Sequence, residues 1–375
     1  MINELIFSEI KIPFKIHFKH NTAKRSETQS VLVRAKSDNN IGYGEGCPRE
    51  YVTNESIASA LAFFNDVQDD VISEIVDLDT LKSFKTLHHS SILKNHSIWC
   101  AIEMALLDLF AKQHNCTVES LLDLPELGAS YYYSAVVGGG SLSAFKEVVQ
   151  KHLQIGFTDF KIKIGGNKEV DFEKLLYLKE VSKDSTIRLD ANNIWQNCND
   201  AIKYINDLPI HVGFIEEPLV SRNIQELIEL SLKISPTIIL DESFCSIEQL
   251  PLIKDLEKQF VINLRVSKMG GILNSLAIVQ ECANNNIPLI VGAQVGETSI
   301  LTRAALTVCC TPSAPIIHQE GAYGTLLLES DLINPSMMFG KKGILNPSPF
   351  LNQNVNGFQL YTTDIQQFIN NIEKF

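Results

Sequence analysis

Two lysines set two residues apart, Lys161 and Lys163 in Phe-Lys-Ile-Lys-Ile-Gly, carry the strongest chemical signal in the chain. Side chains alternate along a strand, so both ammonium groups share one face while Phe160, Ile162 and Ile164 take the other. Alone, the pattern better suits a half-buried edge strand with a solvated lysine face. Three carboxylates follow: Asp190 closes Ile-Arg-Leu-Asp, Glu216 stands in Phe-Ile-Glu-Glu-Pro, and Asp241 closes Ile-Ile-Leu-Asp, at intervals of 26 and 25 residues. Lys268, in Arg-Val-Ser-Lys-Met-Gly-Gly, comes 27 residues later. Singly, Asp190 suits a turn, Glu216 a strand end and Asp241 a helix N-cap, and a lone lysine is ordinarily solvated. Converging carboxylates repel one another unless a cation neutralises them, and hard oxygen ligands suit Mg²⁺. Lysines flanking such a cation point to abstraction of the proton beside a carboxylate, where the developing enediolate needs electrostatic support and a neutral amine takes the proton. Lys161 and the metal would disfavour charge on Lys163, making Lys163 a base near neutral pH and leaving Lys161 to steady the enolate.

Such residues need a scaffold that brings consecutive strands together. From Tyr131 to about Leu328 the sequence alternates short apolar strands with amphipathic helices, as in successive βα units. Strands are expected at 132–137, 159–164, 186–190, 213–216, 237–241, 261–266, 288–292 and 314–318. Crossover helices include 200–208, 224–234 and 273–284. Eight strands predict a closed α/β barrel of the TIM type, whose active site lies at the carboxyl ends of the strands. The second and sixth strands of such a barrel stand opposite one another, so Lys163 and Lys268 would face across its mouth.

Ahead of the barrel the texture differs. Strand-like runs at 6–18 and 29–35, with Asp38-Asn39-Asn40 turning into Ile41-Gly42-Tyr43-Gly44, read as an antiparallel hairpin or meander. Helical periodicity follows at 56–67, 80–87, 97–113 and 118–122. We expect three segments: an α+β capping domain over 1–128, the barrel over 129–345, and a C-terminal segment over 346–375 that returns to the cap.

The chain has 375 residues and a formal net charge of −12, without a basic run, which argues against nucleic-acid binding. No apolar run reaches the 18 or so residues of a membrane span, and Met1 to Phe14 lacks a signal-peptide core. Eight scattered cysteines, without a Cys-x-x-Cys pair, suit free thiols in a reducing cytoplasm.

In this arrangement the residues resemble the enolase superfamily, specifically its muconate lactonizing enzyme subgroup. The Lys-x-Lys pair, Leu-Asp-Ala-Asn at Asp190, Ile-Glu-Glu-Pro at Glu216, Asp-Glu-Ser at Asp241 and Lys-x-Gly-Gly at Lys268 occur in family order. Outside the barrel, Gly42-Tyr-Gly-Glu-Gly and Glu103-Met-Ala-Leu-Leu-Asp-Leu look like this family's amino-terminal half. The resemblance implies a (β/α)7β barrel with a cap, one Mg²⁺ held by Asp190, Glu216 and Asp241, and Lys163 and Lys268 as acid and base. It also implies a small-molecule carboxylate substrate and a homo-oligomer. The mandelate racemase subgroup would require a histidine on the seventh strand, which here runs into Gly-Ala-Gln-Val-Gly-Glu. His318 falls on the eighth strand, where a packed, hydrogen-bonded role is the plainer expectation.

The subgroup uses the same lysines for racemisation or epimerisation, for cycloisomerisation and for o-succinylbenzoate synthesis. The leading expectation is an isomerase, a racemase or epimerase of dipeptides or N-substituted amino acids; a lyase or cycloisomerase is the alternative, and a non-catalytic metal-binding barrel a third. Specificity should come from two cap loops, 17–25 with His20 and Arg25 and 47–53 with Arg49 and Tyr51, where an arginine could hold a distal carboxylate. Dipeptide epimerases of the family commonly carry Asp-x-Asp on the eighth strand for the substrate ammonium. Here that place reads His318-Gln-Glu-Gly, leaving Glu320, helped by Glu297, as the candidate. Arg265 stands where the family has the first lysine of strand six, and is expected to act at one remove from the chemistry.

Overall fold

Pro13 divides the first apolar run of the chain. Instead of one strand over 6–18, the computed structural model forms β1 (Glu4–Ile10) and β2 (Pro13–Lys19), because proline has no N–H for a ladder. The Ile12 N–H donates instead to Thr28 Oγ1 at 2.9 Å. Described residues are 1–19, 24–256, 260–312, 314–361 and 365. β2 pairs with β3 (Lys24–Glu27), while β1, β4 (Ser30–Lys36) and β5 (Ile41–Gly46) form an antiparallel sheet in the order β1-β4-β5.

Helices α1 (Glu50–Thr53), α2 (Ile57–Glu74), α3 (Leu78–Leu87), α4 (His89–Ile92), α5 (His96–Gln113) and α6 (Val118–Leu121) complete the cap. The alternation Gly42, Gly44, Gly46 on β5 explains how α5 lies on the sheet. A Cβ at these positions would come within 2.0 Å of Ala105 O, 2.1 Å of Ala101 O and 1.9 Å of Ser97 O. Only glycine permits that approach, and it buries α5 from end to end.

β6 (Tyr131–Tyr132) pairs with β15 (Ile344–Leu345). The barrel follows: β7 (Ala135–Val137), α7 (Leu142–Ile155), β8 (Asp159–Lys163), α8 (Lys168–Val181), β9 (Thr186–Asp190), α9 (Cys198–Asn206), β10 (Phe214–Glu216), α10 (Ile224–Ser231), β11 (Thr237–Leu240), β12 (Phe260–Leu264), α11 (Ile272–Asn284), β13 (Leu289–Val291), α12 (Ser299–Cys309) and β14 (Ile316–Gln319). The eight strands from β7 to β14 pair in sequence order, each parallel to the next. A parallel bridge between Tyr133 and Gln319, with Ser134 N–H donating to Gln319 O at 2.8 Å, closes the circle. Between β14 and β15 (Ile344–Leu345) the described residues form no α-helix, so the eighth unit is a strand alone, as in a (β/α)7β barrel. Among the described residues between β11 and β12 lies a 3₁₀ segment, Ile247–Leu252, where Pro251 lacks the donor an α-helix would use.

Within the barrel, one side is apolar, with Ile239, Val261 and Ile290 packed against Phe214. Arg188 on β9 is fully buried beside Ser134, Asp159 and Glu320. Residues 346–361 run back along the cap: Gly357 N–H donates to Cys116 O and Phe358 N–H to Asp108 Oδ1, each at 2.9 Å. All eight cysteines are free thiols, and no helix among the described residues is long and apolar enough to cross a membrane.

Candidate active site

Strand register sets the levels of the site. Lys163 pairs with Asp190, Asp190 with Glu216, and Glu216 with Ile239, so three of the sequence-predicted residues stand at one height on β8, β9 and β10. Asp241, two residues beyond Ile239 on the same face, stands one pleat higher. Alternation then places Arg188 beneath Asp190 and Lys161 beneath Lys163, all facing the barrel interior.

Lys161 is buried among carboxylates: its Nζ lies 2.7 Å from Glu216 Oε1, 3.0 Å from Glu320 Oε2 and 3.3 Å from Asp190 Oδ2. Burial opposes its charge, but Asp190, Glu216 and Glu320 outweigh burial and hold its pKa well above the usual lysine value. It is a fixed cation. Lys163 reaches further up, 3.2 Å from Asp190 Oδ2 and 3.0 Å from Asn192 Oδ1.

Lys268 enters from the loop after β12 and is fully buried. It donates to the backbone oxygens of Asp241 at 2.6 Å and Asn263 at 2.7 Å, and to Asp241 Oδ1 at 2.9 Å. Burial, with Arg265 adding to it, pushes its pKa down to about 8. The cap braces this loop: His96 of α5 bonds to the Lys268 carbonyl, Cys47 N–H donates to Ser267 Oγ at 2.8 Å, and Leu273 N–H donates to Glu103 Oε1 at 2.9 Å.

The donor set suits a hard divalent cation. Three consecutive strands each offer a carboxylate, Asp190, Glu216 and Asp241, all about 1% exposed. Glu216 Oε2 is buried without a hydrogen-bond partner, an acceptor that a cation would satisfy. Burial, together with Asp190 and Glu320, raises the Glu216 pKa even though Lys161 opposes it, which is the strain that a bound cation relieves. As placed, these carboxylates pair with side chains of the protein, and among the described residues no three His, Cys, Asp or Glu groups form a ready ligand shell. Arg265 is the main competitor: it pairs directly with Asp241 Oδ2, sits 4.0 Å from Glu216 Oε1 and donates to Gln294 Oε1 at 2.9 Å. Arg265, expected to act at one remove from the chemistry, meets the site through the Asp241 carboxylate, which its longer, forked side chain reaches.

Four further residues shape the site. Asn263 Nδ2 donates to Glu216 Oε1 at 3.1 Å and Asn192 accepts from Lys163. Glu217, the second acid of Ile-Glu-Glu-Pro, accepts from Asp241 N–H at 2.6 Å and from Ser243 N–H and Oγ at 2.7 Å, fixing the turn that carries Asp241. Arg188 donates to Ser134 Oγ at 2.7 Å and lies 3.2 Å from Glu320 Oε1. Alternation along Ile-Arg-Leu-Asp, which puts Arg188 on the face of Asp190, was the available signal for Arg188; nothing local marks Asn263.

The sequence-predicted substrate contacts separate in space. Arg49 is fully buried, and its Nη1 and Nη2 donate to the carbonyls of Gln29, Pro48, Thr28 and Val295 between 2.7 and 3.1 Å. Those bonds make it a clamp between cap and barrel, which corrects its reading as a substrate arginine. Arg25 Nη1 donates to Gln29 Oε1 at 2.8 Å and its guanidinium stands 5.7 Å from the Tyr51 ring centroid, so these two form one unit at the cap edge. His20 lies outside the described residues. Glu297 accepts from Gln294 N–H, and burial pushes its pKa up to about 8. Glu320, between Lys161 and Arg188, has its charge already matched. His318 Nδ1 sits 3.1 Å from Asp159 Oδ2 and edge-on to Phe214, a packed role.

Two family models cover most of this architecture. Residues 3–123 match the mandelate racemase/muconate lactonizing enzyme N-terminal domain, and residues 144–347 match the enolase C-terminal domain-like model. The chain belongs to the enolase superfamily. Within it the matches fall in the muconate lactonizing enzyme subgroup. An N-succinyl-L-Arg/Lys racemase of Bacillus cereus is 24% identical over 334 residues, 87% of this chain and 88% of that protein. An L-Ala-D/L-Glu epimerase of Francisella tularensis subsp. novicida is 26% identical over 310 residues, 80% of this chain and 85% of that one. Among solved structures, a dipeptide epimerase of Enterococcus faecalis complexed with Mg and L-Leu-L-Tyr superposes with a TM-score of 0.82 at 23% identity, covering 96% of this chain and 99% of that one. At that identity the superposition speaks for the shared fold.

Proposed function

We propose that this enolase superfamily member is a Mg²⁺-dependent racemase or epimerase acting at the α-carbon of an N-substituted amino acid or dipeptide. One observation carries the reading: Lys163 on β8 and Lys268 after β12 flank carboxylates presented by the three strands between them. Racemases and epimerases among the relatives support it.

Asp190, Glu216 and Asp241 would hold Mg²⁺, which supplies electrophilic stabilisation of a substrate carboxylate. Lys163 takes the α-proton from one face and Lys268 returns one from the other; for the opposite enantiomer the roles exchange. Lys161, kept charged by three carboxylates, places a permanent positive charge beside the enediolate oxygens. Lys268, with a pKa near 8, has both protonation states accessible near neutral pH.

The match of Glu320 to Lys161 and Arg188 favours substrates whose nitrogen is acylated over those with a free ammonium. The domains are proposed to divide at 128 and 345, and the protein to work as a homo-oligomer in the cytoplasm, where its eight thiols stay reduced.

Incubation of the Mg²⁺-loaded enzyme in D₂O with L- and D-enantiomers of dipeptides and N-acyl amino acids tests the reaction. A one-dalton gain with loss of optical activity is expected; loss of water from a substrate, without α-deuteration of any amino acid derivative, rejects it.

A further inference from the structure

Lys163 and Lys268 are mounted on the fold in different ways. Lys163 belongs to the barrel sheet: it pairs in register with Asp190 of β9, and the next amide, Ile164 N–H, donates to Asp190 O at 3.0 Å. Lys268 lies past the end of β12, in a turn closed on itself by Met269 N–H to Arg265 O and Gly271 N–H to Val266 O, each at 3.0 Å. Such a turn fixes its own shape but not its place above the barrel. Contacts from outside the turn must do that.

The cap supplies them. His96, the first residue of α5 and buried, meets the Lys268 carbonyl with Nδ1. A carbonyl only accepts, so Nδ1 carries the proton and donates it. One residue earlier, Ser267 Oγ accepts from Cys47 N–H at 2.8 Å. Gly271, at φ 107°, allows α5 to come this close, since a Cβ there would lie 2.3 Å from Glu103 Oε1. The start of α5 is in turn fixed by another part of the cap. Its N-cap residue, Asn95, makes no side-chain cap bond; Glu55, also buried, accepts instead from Ser97 N–H at 2.8 Å and Ser97 Oγ at 2.9 Å. Cys47 and Glu55 bracket the cap loop that bears Tyr51. Both ends of that loop thus reach the Lys268 turn, one directly and one through the start of α5.

We propose that His96 is a positioning residue for Lys268: through it the cap sets where this lysine stands, whereas the barrel sheet sets Lys163. Proton transfer on the Lys268 side of the substrate then depends on the cap, and transfer on the Lys163 side does not. The inference rests on the reading of the two lysines as acid and base. His96 acts through the backbone, because its donor ends on the Lys268 carbonyl while the ammonium is held separately by the carbonyls of Asp241 and Asn263 and by Asp241 Oδ1. Losing the His96 bond shifts the backbone that carries the amine without removing any of those three acceptors.

The test uses the full-length, Mg²⁺-loaded enzyme and reads α-proton exchange in D₂O within each epimer before it inverts. The probes are N-acetyl-L-leucine with N-acetyl-D-leucine, and L-Ala-L-Leu with L-Ala-D-Leu. Lys268→Ala marks the epimer from which this lysine takes the proton. In His96→Phe, which keeps an aromatic ring but no donor, exchange from the marked epimer should fall at least about tenfold and from the other less than about twofold, as when one catalytic group is misplaced. His96→Asn, whose Nδ2 can stand where Nδ1 stood, should recover part of the loss. Ser267→Ala, which removes the neighbouring cap contact and leaves the His96 site intact, should shift the balance in the same direction. Equal losses from both epimers, no loss, or a shift toward the other epimer overturns the proposal. A second readout needs no turnover: carbamylation by cyanate, followed by peptide mass spectrometry, should rise at Lys268 in His96→Phe and stay at the wild-type level at Lys163. An equal change at both lysines, or none at Lys268, also overturns it. Increased labelling confined to Lys268, in an enzyme whose wild type exchanges no α-proton on any substrate, would sustain the positioning role and reject the racemase reading alone.

Discussion

Lys161 donates to Glu320 at 3.0 Å across the barrel interior, and the other oxygen of Glu320 lies 3.2 Å from Arg188. An acid from the last barrel strand is thereby committed to two cations from the second and third. Glu320→Gln should remove about 3 kcal/mol from the free energy of unfolding, because two buried cations lose a counter-charge. Denaturant titration measures it. The accompanying loss of kcat/KM should be the same for dipeptides and N-acyl amino acids; a rise in KM restricted to free-amine substrates would instead make Glu320 an ammonium ligand.

Lys163→Ala and Lys268→Ala should each lower racemisation by at least about 100-fold, the usual contribution of a general acid or base. Mg²⁺ binding, followed by calorimetry, should survive in both. Residual racemisation in either variant at a tenth of the wild-type rate contradicts a two-lysine scheme.

Arg265 holds Asp241 and approaches Glu216, so it competes with a divalent cation for the same oxygens. Arg265→Met should tighten Mg²⁺ binding about tenfold, equivalent to about 1.4 kcal/mol of removed competition. Calorimetric titration decides it, and weaker binding would show that the guanidinium supports the metal site.

Glu103 is fully buried in α5; Oε1 accepts from Leu273 N–H while Oε2 has no partner. Burial pushes its pKa up to about 7. In the folded protein the proton is held up to about pH 7, whereas the unfolded chain releases it near the ordinary glutamate value. Between those limits the folded state binds more protons, so its stability falls as pH rises and the loss is complete above pH 7. Glu103→Gln should leave stability at pH 4 nearly unchanged and raise it at pH 8 by up to about 3 kcal/mol, at about 1.4 kcal/mol per pH unit. Urea unfolding at the two pH values checks this, and an equal change at both would place the effect in packing.

Period-2 alternation and the recurrence of acids at βα intervals made the barrel and the positions of Lys161, Lys163, Asp190, Glu216 and Asp241 legible, because both patterns are local to one strand and its crossover. Strand boundaries were less so: Pro13 split one expected strand. Arg49 misled because a cap-loop arginine reads alike whether its guanidinium meets a ligand or four backbone carbonyls.

The sequence alone determined which side chains face the barrel interior and in what order, since strand pleat and strand spacing are properties of the chain. What each side chain meets was decided only by closure of the barrel. The Tyr133–Gln319 bridge brings the eighth strand beside the first and so delivers Glu320 to Lys161, 159 residues away. Docking of α5 likewise brings His96 onto the carbonyl of Lys268. Packing across such separations sets whether a buried charge is matched, as for Lys161.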